Sequence, residues 1–142
     1  MIDLKRLDEY TALFIDTFSM KPWNGKWKST DEAKAELMDI LKTPGFIGED
    51  IKDNGKIIGA VFGNIVRYCK EHIYNLRFFF IASDYQRKGY GSKLFDKLIK
   101  VLKGKEIKTI ILMTKKESLA DEFYRKHGFK IERDTIVMVK KL

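Results

Sequence analysis

DYQRKGYGSKL, residues 84–94, stands between an apolar run, FFFIA (78–82), and a segment in which Leu94, Phe95, Leu98, Ile99 and Leu102 recur at helical spacing. The run reads as a buried strand. The recurrence reads as one face of a helix, with Lys93, Lys97, Lys100 and Lys103 on the other side. Gly89 and Gly91 lie at the junction, among basic residues. Glycine reaches backbone angles closed to other residues and lets another group come close to the main chain. A helix N-terminus offers unpaired N–H groups and a partial positive charge, a combination that suits phosphate. The stretch Gln86, Arg87, Lys88, Gly89, Tyr90, Gly91, Ser92 therefore reads as an anion cradle, with Arg87 and Lys88 adding charge. Its spacing is not that of a nucleotide P-loop, which needs G-x-x-x-x-G-K-[ST]. Nor does it fit a dinucleotide fingerprint, which needs glycine or alanine where Leu94 stands. On its own the motif leaves a plain glycine turn open as the alternative.

The surroundings supply strands and helices in an informative order. IDL (2–4) has the pattern of a short first strand, and Asp8 that of an N-cap for a helix burying Tyr10, Leu13, Phe14 and Phe18. KPWNGKW (21–27) is a loop. Ser29 and Glu32 form a capping-box pattern for a helix that stops before Pro44 and Gly45. FIGEDIKD, Asn54-Gly55 and KIIGAVFGNIV read as a hairpin, and IYNLRFFFIA as a third strand. IKTIILMT (107–114) has the continuous apolar character of a strand buried on both faces. SLADEFYRKH is a helix ended by Gly128, and FKIE with TIVMVKK reads as a closing hairpin around Arg133-Asp134. A strand, a helix and a strand in sequence imply a parallel pair joined by a right-handed crossover. The hairpins imply antiparallel neighbours, so the sheet is mixed.

Composition narrows the function classes. The 142 residues are 44% hydrophobic and 34% charged, as in an ordinary globular domain. No apolar run approaches the ~20 residues of a membrane span. The first ten residues carry acids and lack a signal peptide's apolar core. The single cysteine, Cys69, allows no internal disulfide and suits a reducing compartment, so a cytoplasmic location is expected, with no membrane partner. A Cys69–His72 pair would mean a covalent acyl-enzyme. Their setting, RYCKEHIY, reads instead as a turn with a half-buried cysteine and a surface histidine. Two histidines and one cysteine are too few for a zinc site, and no metal is expected.

In its setting, Gln86-Arg87-Lys88-Gly89-Tyr90-Gly91 resembles the Q/R-x-x-G-x-G/A hallmark of the GNAT superfamily of acetyl-CoA-dependent N-acetyltransferases. A later family segment, A-x-x-F-Y-x-K-x-G-F, is matched by Ala120, Phe123, Tyr124, Lys126, Gly128 and Phe129. The element order is similar too, so the resemblance covers a single domain over residues 1–142. It is specific for cofactor and fold, and not for substrate. It implies an α/β (α+β) fold: a mixed, mostly antiparallel central sheet with a parallel pair of splayed strands, flanked by four helices.

The resemblance also implies a chemistry. Arg87, Lys88, Gly89, Gly91 and Ser92, within the cradle that Gln86 and Tyr90 complete, would hold the pyrophosphate of coenzyme A. The strand ending at Phe80-Ile81-Ala82 would splay from strand 107–113, with the pantetheine arm between them. A main-chain N–H near Ile81 would hold the thioester oxygen. The acceptor amine would attack the thioester directly. Tyr124 is the candidate general acid, since a phenol stays protonated at neutral pH and can serve a departing thiolate. Relatives often place an asparagine that contacts the cofactor near the start of this helix, where Glu117 stands here. Many carry a glutamate base on the strand before the cradle, where this chain has Phe78. NLRFFFIA holds no acid; Glu49, Asp50 and Glu71 are nearby candidates that read as solvated surface charges, a cavity water is the other relay, and no base is assigned. Trp23 and Trp27 fall in a region that covers the acceptor in the family. They would stack on a cationic amine or staple the loop to the core.

Three functions compete: transfer of an acetyl group to a primary amine, acyl-CoA binding by a degenerate member acting as sensor or scaffold, and nucleic-acid binding suggested by the net charge of +8. The acceptor would be a small molecule, such as an aminoglycoside, polyamine or amino acid, or a protein amine. The chain would act as a monomer or homodimer. The lysines are scattered, whereas nucleic-acid binders gather arginine and aromatics on a stripe. Duplex DNA is therefore expected to bind at about 10⁻⁴–10⁻⁶ M at physiological salt, without sequence preference. A tight, sequence-dependent shift in a gel assay would restore the nucleic-acid reading.

Overall fold

Asn54 and Gly55 take positive φ angles of 47° and 80°, the left-handed pair that a two-residue hairpin turn demands. They join β1 (Phe46–Asp53) to β2 (Lys56–Tyr68), with Asp53 opposite Lys56. Cys69, at φ 54°, and Lys70 close a second hairpin, from which β3 (Glu71–Ile81) runs back along β2. This computed structural model describes residues Met1–Leu142. β4 (Thr109–Ile111) pairs in parallel with the start of β3, completing one open sheet of order β1-β2-β3-β4. Parallel neighbours need a long crossover, here α3 (Tyr90–Gly104).

The pleat sends alternate side chains to opposite faces, and each face has its own helices. Ala60, Phe62 and Phe80 pack with Tyr10 and Phe14 of α1 (Leu7–Phe18) and Ala33, Leu37 and Ile40 of α2 (Thr30–Leu41). Val61, Tyr74, Leu76 and Ile81 face the other way, against Leu94, Phe95, Leu98 and Leu102 of α3 and Tyr124 of α4 (Leu119–Lys126). The expected fold is the observed one: a mixed, mostly antiparallel sheet with a single parallel pair, between two layers of helix. Ser29 caps α2 as its pattern predicts, accepting from the Glu32 N–H at 3.2 Å, while Glu32 Oε2 accepts from the Lys28 N–H at 2.5 Å.

Four local expectations are corrected. IDL is no strand: Leu4–Arg6 form a 3-10 turn begun by Asp3, whose carboxylate accepts from the Lys5 N–H. Asp8 lies inside the first turn of α1 rather than capping it. The run 107–114 forms a strand only over Thr109–Ile111 and is not covered on both sides, since Met113 is 79% exposed. Its outer edge has no neighbouring strand. The closing hairpin does not form either, and Ile136, Val137, Met138 and Val139 stand exposed. Neither Arg133 nor Asp134 takes a positive φ, as a tight two-residue turn requires. The Asp134 N–H instead closes a local bend onto Glu132 Oε1.

Glu49 and Asp50 are not solvated charges, being only 7% and 3% exposed. The Tyr10 hydroxyl donates to Asp50 Oδ2 at 2.5 Å, and Lys52 Nζ lies 3.3 Å from the same oxygen. Glu49 Oε2 meets the Met1 amine at 2.5 Å and Lys97 Nζ at 3.4 Å. Buried acids need such partners, because an unpaired buried charge is costly. Tyr10→Phe keeps the ring in its edge contact with Phe62 and removes the donor. Stability should fall by about 1–3 kcal/mol, read as an earlier urea midpoint. An unchanged midpoint would show that Asp50 is satisfied without the phenol.

Candidate active site

β3 and β4 are paired from Ile73–Thr109 to Asn75–Ile111 and no further. Two residues on, the register of β3 against β2 slips: Phe62 faces Phe78, Gly63 faces Leu76, and Arg77 is the extra residue of a bulge. A bulge bends its strand. From Leu76 to Ile81, β3 therefore has no strand on its β4 side. The Ala82 N–H donates to the Ile58 carbonyl on β2 at 2.8 Å. Successive N–H groups of a strand point to opposite sides, so the Ile81 N–H points into the gap. The Phe79 N–H, in phase with it, does the same.

The chain leaves Ile81 through a 3-10 turn, Ser83–Tyr85, and enters the cradle. Gln86 Nε2 donates to the Ile81 carbonyl at 2.9 Å, tying the loop back to the strand end. Arg87 and Gly89 both sit at positive φ, 60° and 84°. Gly89 is the N-cap of α3 and provides no side-chain acceptor. The first bond into the helix is Lys93 N–H to the Gly89 carbonyl at 3.1 Å, and the N–H groups of Tyr90, Gly91 and Ser92 before it have no acceptor in the chain. A Cβ built on Gly89 would meet nothing within 4 Å, whereas one on Gly91 would press Phe123 Cε2 at 3.2 Å. Gly89 thus opens the site, and Gly91 lets α3 lie close to α4. Arg87 and Lys88 are exposed. The Tyr90 ring packs edge-on to Tyr85 at 5.4 Å, and Tyr85 Oη donates to Asp53 Oδ2.

Tyr124 is set by both ends of its short helix. At the N-terminal end, the Asp121 N–H donates to Ser118 Oγ, while Asp121 Oδ2 accepts from the Glu117 N–H at 2.9 Å. The Arg125 guanidinium, and then that N–H, hold the Asp121 carboxyl below its ordinary range. Glu117 itself is exposed, at φ 58°. At the C-terminal end, Gly128 (φ 89°) donates to the Arg125 carbonyl at 3.1 Å, and Phe129 donates to the Tyr124 carbonyl at 3.0 Å. This is a Schellman motif, whose apolar contact joins the residues at its two ends. Here they are Phe129 and Tyr124, with ring centroids 5.3 Å apart. Phe79 of β3 meets the same tyrosine edge-on at 6.3 Å. Burial pushes the Tyr124 hydroxyl far above its ordinary range, with no other cause acting. It is protonated at any physiological pH.

Sequence reasoning missed three features here. Thr114 Oγ1, between β4 and α4, is buried without a partner. His127 meets Ser92 Oγ across the cradle. A cavity of about 720 Å³ lies between α1 and Ala82–Tyr85, with Asp16, Thr17, Asp84 and Lys56 in its wall. Trp23 and Trp27 are outside its lining: Trp27 packs on Phe14 at 5.2 Å and donates to Glu36 Oε2, and Trp23 lies edge-on to Phe18. Phe80 faces the α1 layer. Cys69 is exposed on the turn at the far end of β3 from the cradle. No group of three or more His, Cys, Asp or Glu is placed to hold a metal ion, and no helix is long and apolar enough to cross a membrane.

Residues 7–129 match the acetyltransferase (GNAT) family, and the chain belongs to it. It is 33% identical over 104 residues to a probable acetyltransferase, TAP2, of Glycine max; the match covers 72% of this chain but only 38% of the soybean protein. Among solved structures, it resembles AAC(6')-Iy in complex with a bisubstrate analogue, CoA-S-monomethyl-acetylneamine, with TM-score 0.75, 17% identity, and 99% and 95% of the two chains covered. It also resembles a ribosomal-protein-alanine N-acetyltransferase of Brucella melitensis, with TM-score 0.76, 12% identity, and 99% and 96% covered. The uncapped α3 N-terminus, the open space at Gly89 and the orphan hydroxyl of Thr114 all suit a phosphorylated, amide-bearing cofactor such as coenzyme A. Gly89→Asp tests the cradle. Asp is among the residues that visit left-handed angles, and at φ 84° the strain should cost about 1–2 kcal/mol of stability. A carboxylate where phosphate would sit should weaken coenzyme A binding at least about tenfold in calorimetry. Unchanged affinity in the folded variant would remove coenzyme A from this loop.

Proposed function

We propose that this protein moves an acetyl group from acetyl-CoA to a primary amine by direct transfer. The observation that carries the reading is the start of α3: three N–H groups without acceptors, beside Arg87 and Lys88 and the open face of Gly89. Arg87, Lys88 and the N–H groups of Gly91 and Ser92 hold the phosphates, with Gln86 bracing the loop. The gap beside β3 takes the pantetheine arm, and the Ile81 N–H faces the thioester oxygen. Bound acetyl-CoA supplies an activated thioester: the amine nitrogen bonds to its carbonyl carbon as the carbon–sulfur bond breaks. Tyr124 gives its phenolic proton to the departing sulfur and regains one from solvent, which balances the proton lost by the amine. The attacking nitrogen must also lose a proton. Arg77 is the only ionisable side chain on β3 between Asn75 and Ile81, and Glu49 and Asp50 are committed to buried pairs on β1. That proton goes to solvent, directly or through the carboxylates of Asp16 and Asp84 in the cavity wall.

The cavity beside Ala82–Tyr85 supports an amine acceptor, since Asp16 and Asp84 make its wall more acidic than a chain of net charge +8 would suggest. The α1–α2 loop borders it through Ser19 and Met20, while Trp23 and Trp27 pack that loop onto α1. The likeness to an aminoglycoside enzyme, in complex with a CoA-linked neamine, favours a small-molecule acceptor. A second reading, acyl-CoA binding without catalysis, is favoured by the absence of an acid on β3 between Asn75 and Ile81. An amine panel with acetyl-CoA, read as release of free thiol, separates the two.

Tyr124→Phe tests the chemical step on whichever amine responds. The ring and its contacts with Phe79 and Phe129 remain, so fold and coenzyme A affinity should persist. Turnover should fall about 100-fold, within the range for a lost general acid, with kcat changing more than the amine KM. Full turnover would return Tyr124 to a packing role and leave the proton to water.

A further inference from the structure

We propose that His127 is a positioning residue for the phosphate cradle, acting through Ser92. This rests on the reading of the cradle as a coenzyme A site. Ser92 is the third residue of α3, and its N–H is among the three without an acceptor. Its Oγ lies 3.1 Å from His127 Nε2, and both residues are half-buried. His127 is held firmly. Its ring lies 4.3 Å from Phe123 and 5.1 Å from Phe95, and its N–H donates to the Phe123 and Tyr124 carbonyls. It is also the C-cap residue of α4, next to the Gly128 that closes the helix.

The chemistry follows from the single proton on a serine hydroxyl. If that proton points to His127, Ser92 has none for a ligand. If Nε2 carries a hydrogen and donates, the hydroxyl proton is free to reach a phosphate oxygen. An anion at the α3 N-terminus favours the second arrangement, a chain Nε2–H to Oγ–H to phosphate oxygen in which each bond polarises the next. His127 then orients the Ser92 hydroxyl toward the diphosphate without touching the ligand itself.

The test uses calorimetry with coenzyme A, and with pantetheine, which lacks the phosphates. His127→Phe keeps an aromatic ring between Phe95 and Phe123 but loses the donor. Coenzyme A affinity should fall about fivefold, the factor one ordinary hydrogen bond contributes, while pantetheine affinity stays unchanged. Ser92→Ala should lose the same factor, and the double variant no more, since both changes break one chain. His127→Gln, whose amide nitrogen reaches the position of Nε2, should restore most of the affinity. Wild-type affinity in His127→Phe, losses that add in the double variant, or equal loss of pantetheine would each overturn the inference. Failure of His127→Gln to recover would do so too. Wild-type protein that binds no coenzyme A would overturn the acetyl-CoA reading itself, and this inference with it.

Discussion

β4 is hydrogen-bonded to β3 over Thr109–Ile111 against Ile73–Asn75, and there the pairing stops. A strand edge left open inside a domain exposes main-chain groups that seek partners. Here the edge runs from Leu76 to Ile81, directly into the turn that starts α3. Main-chain donors in the gap and main-chain donors at the helix start are thus joined by one short loop, tied back to the strand end by Gln86. The bulge at Arg77 bends β3 just beyond its last pair with β4, the crossover helix follows where β3 ends, and the glycines at 89 and 91 keep that beginning open and close to α4. Had β4 stayed paired as far as Ile81, the N–H groups of Phe79 and Ile81 would be spent on the sheet.

The charge of the molecule is arranged in two regimes. Where carboxylates are buried, on β1, each is matched by a cation or a phenol within hydrogen-bond range. At the cradle, backbone dipoles and two exposed cations act together without a protein acid to neutralise them. The first arrangement holds the β1 edge against α1 and α3. The second leaves favourable electrostatic interaction unused until an anion arrives, which is how a binding site differs from a salt bridge.

Much of this was legible in residue order. Asn54-Gly55 announces a hairpin because few residues tolerate its angles, and Gln86 to Gly91 announces an open helix start for the same reason. The alternation of Ala60, Val61, Phe62 and of Phe80, Ile81 sorts itself onto two faces. What the sequence hid depends on three-dimensional neighbours. The short β4 was invisible because an apolar run looks alike whether or not a strand lies beside it. Glu49 and Asp50 looked like surface charges because their partners, Met1, Tyr10 and Lys97, lie 40 or more residues away or across the sheet. The pairing of Ser92 with His127 spans 35 positions and carries no local signature.

The end of α4 ties these observations to the chemistry. Gly128 takes the left-handed angle that stops the helix, which brings Phe129 back against Tyr124 and turns His127 toward Ser92. The same helix end thus sets the height of the phenol beside Phe79 and brings His127 to the Ser92 hydroxyl at the cradle. Burial keeps the proton on Tyr124 and at the same time makes the phenol a weaker acid, so in the proposed role its placement has to offset that cost. A closed helix end with an aromatic clamp provides that placement at little conformational cost. The family segment A-x-x-F-Y-x-K-x-G-F then has a mechanical reading: its glycine and last phenylalanine are the support on which the tyrosine rests.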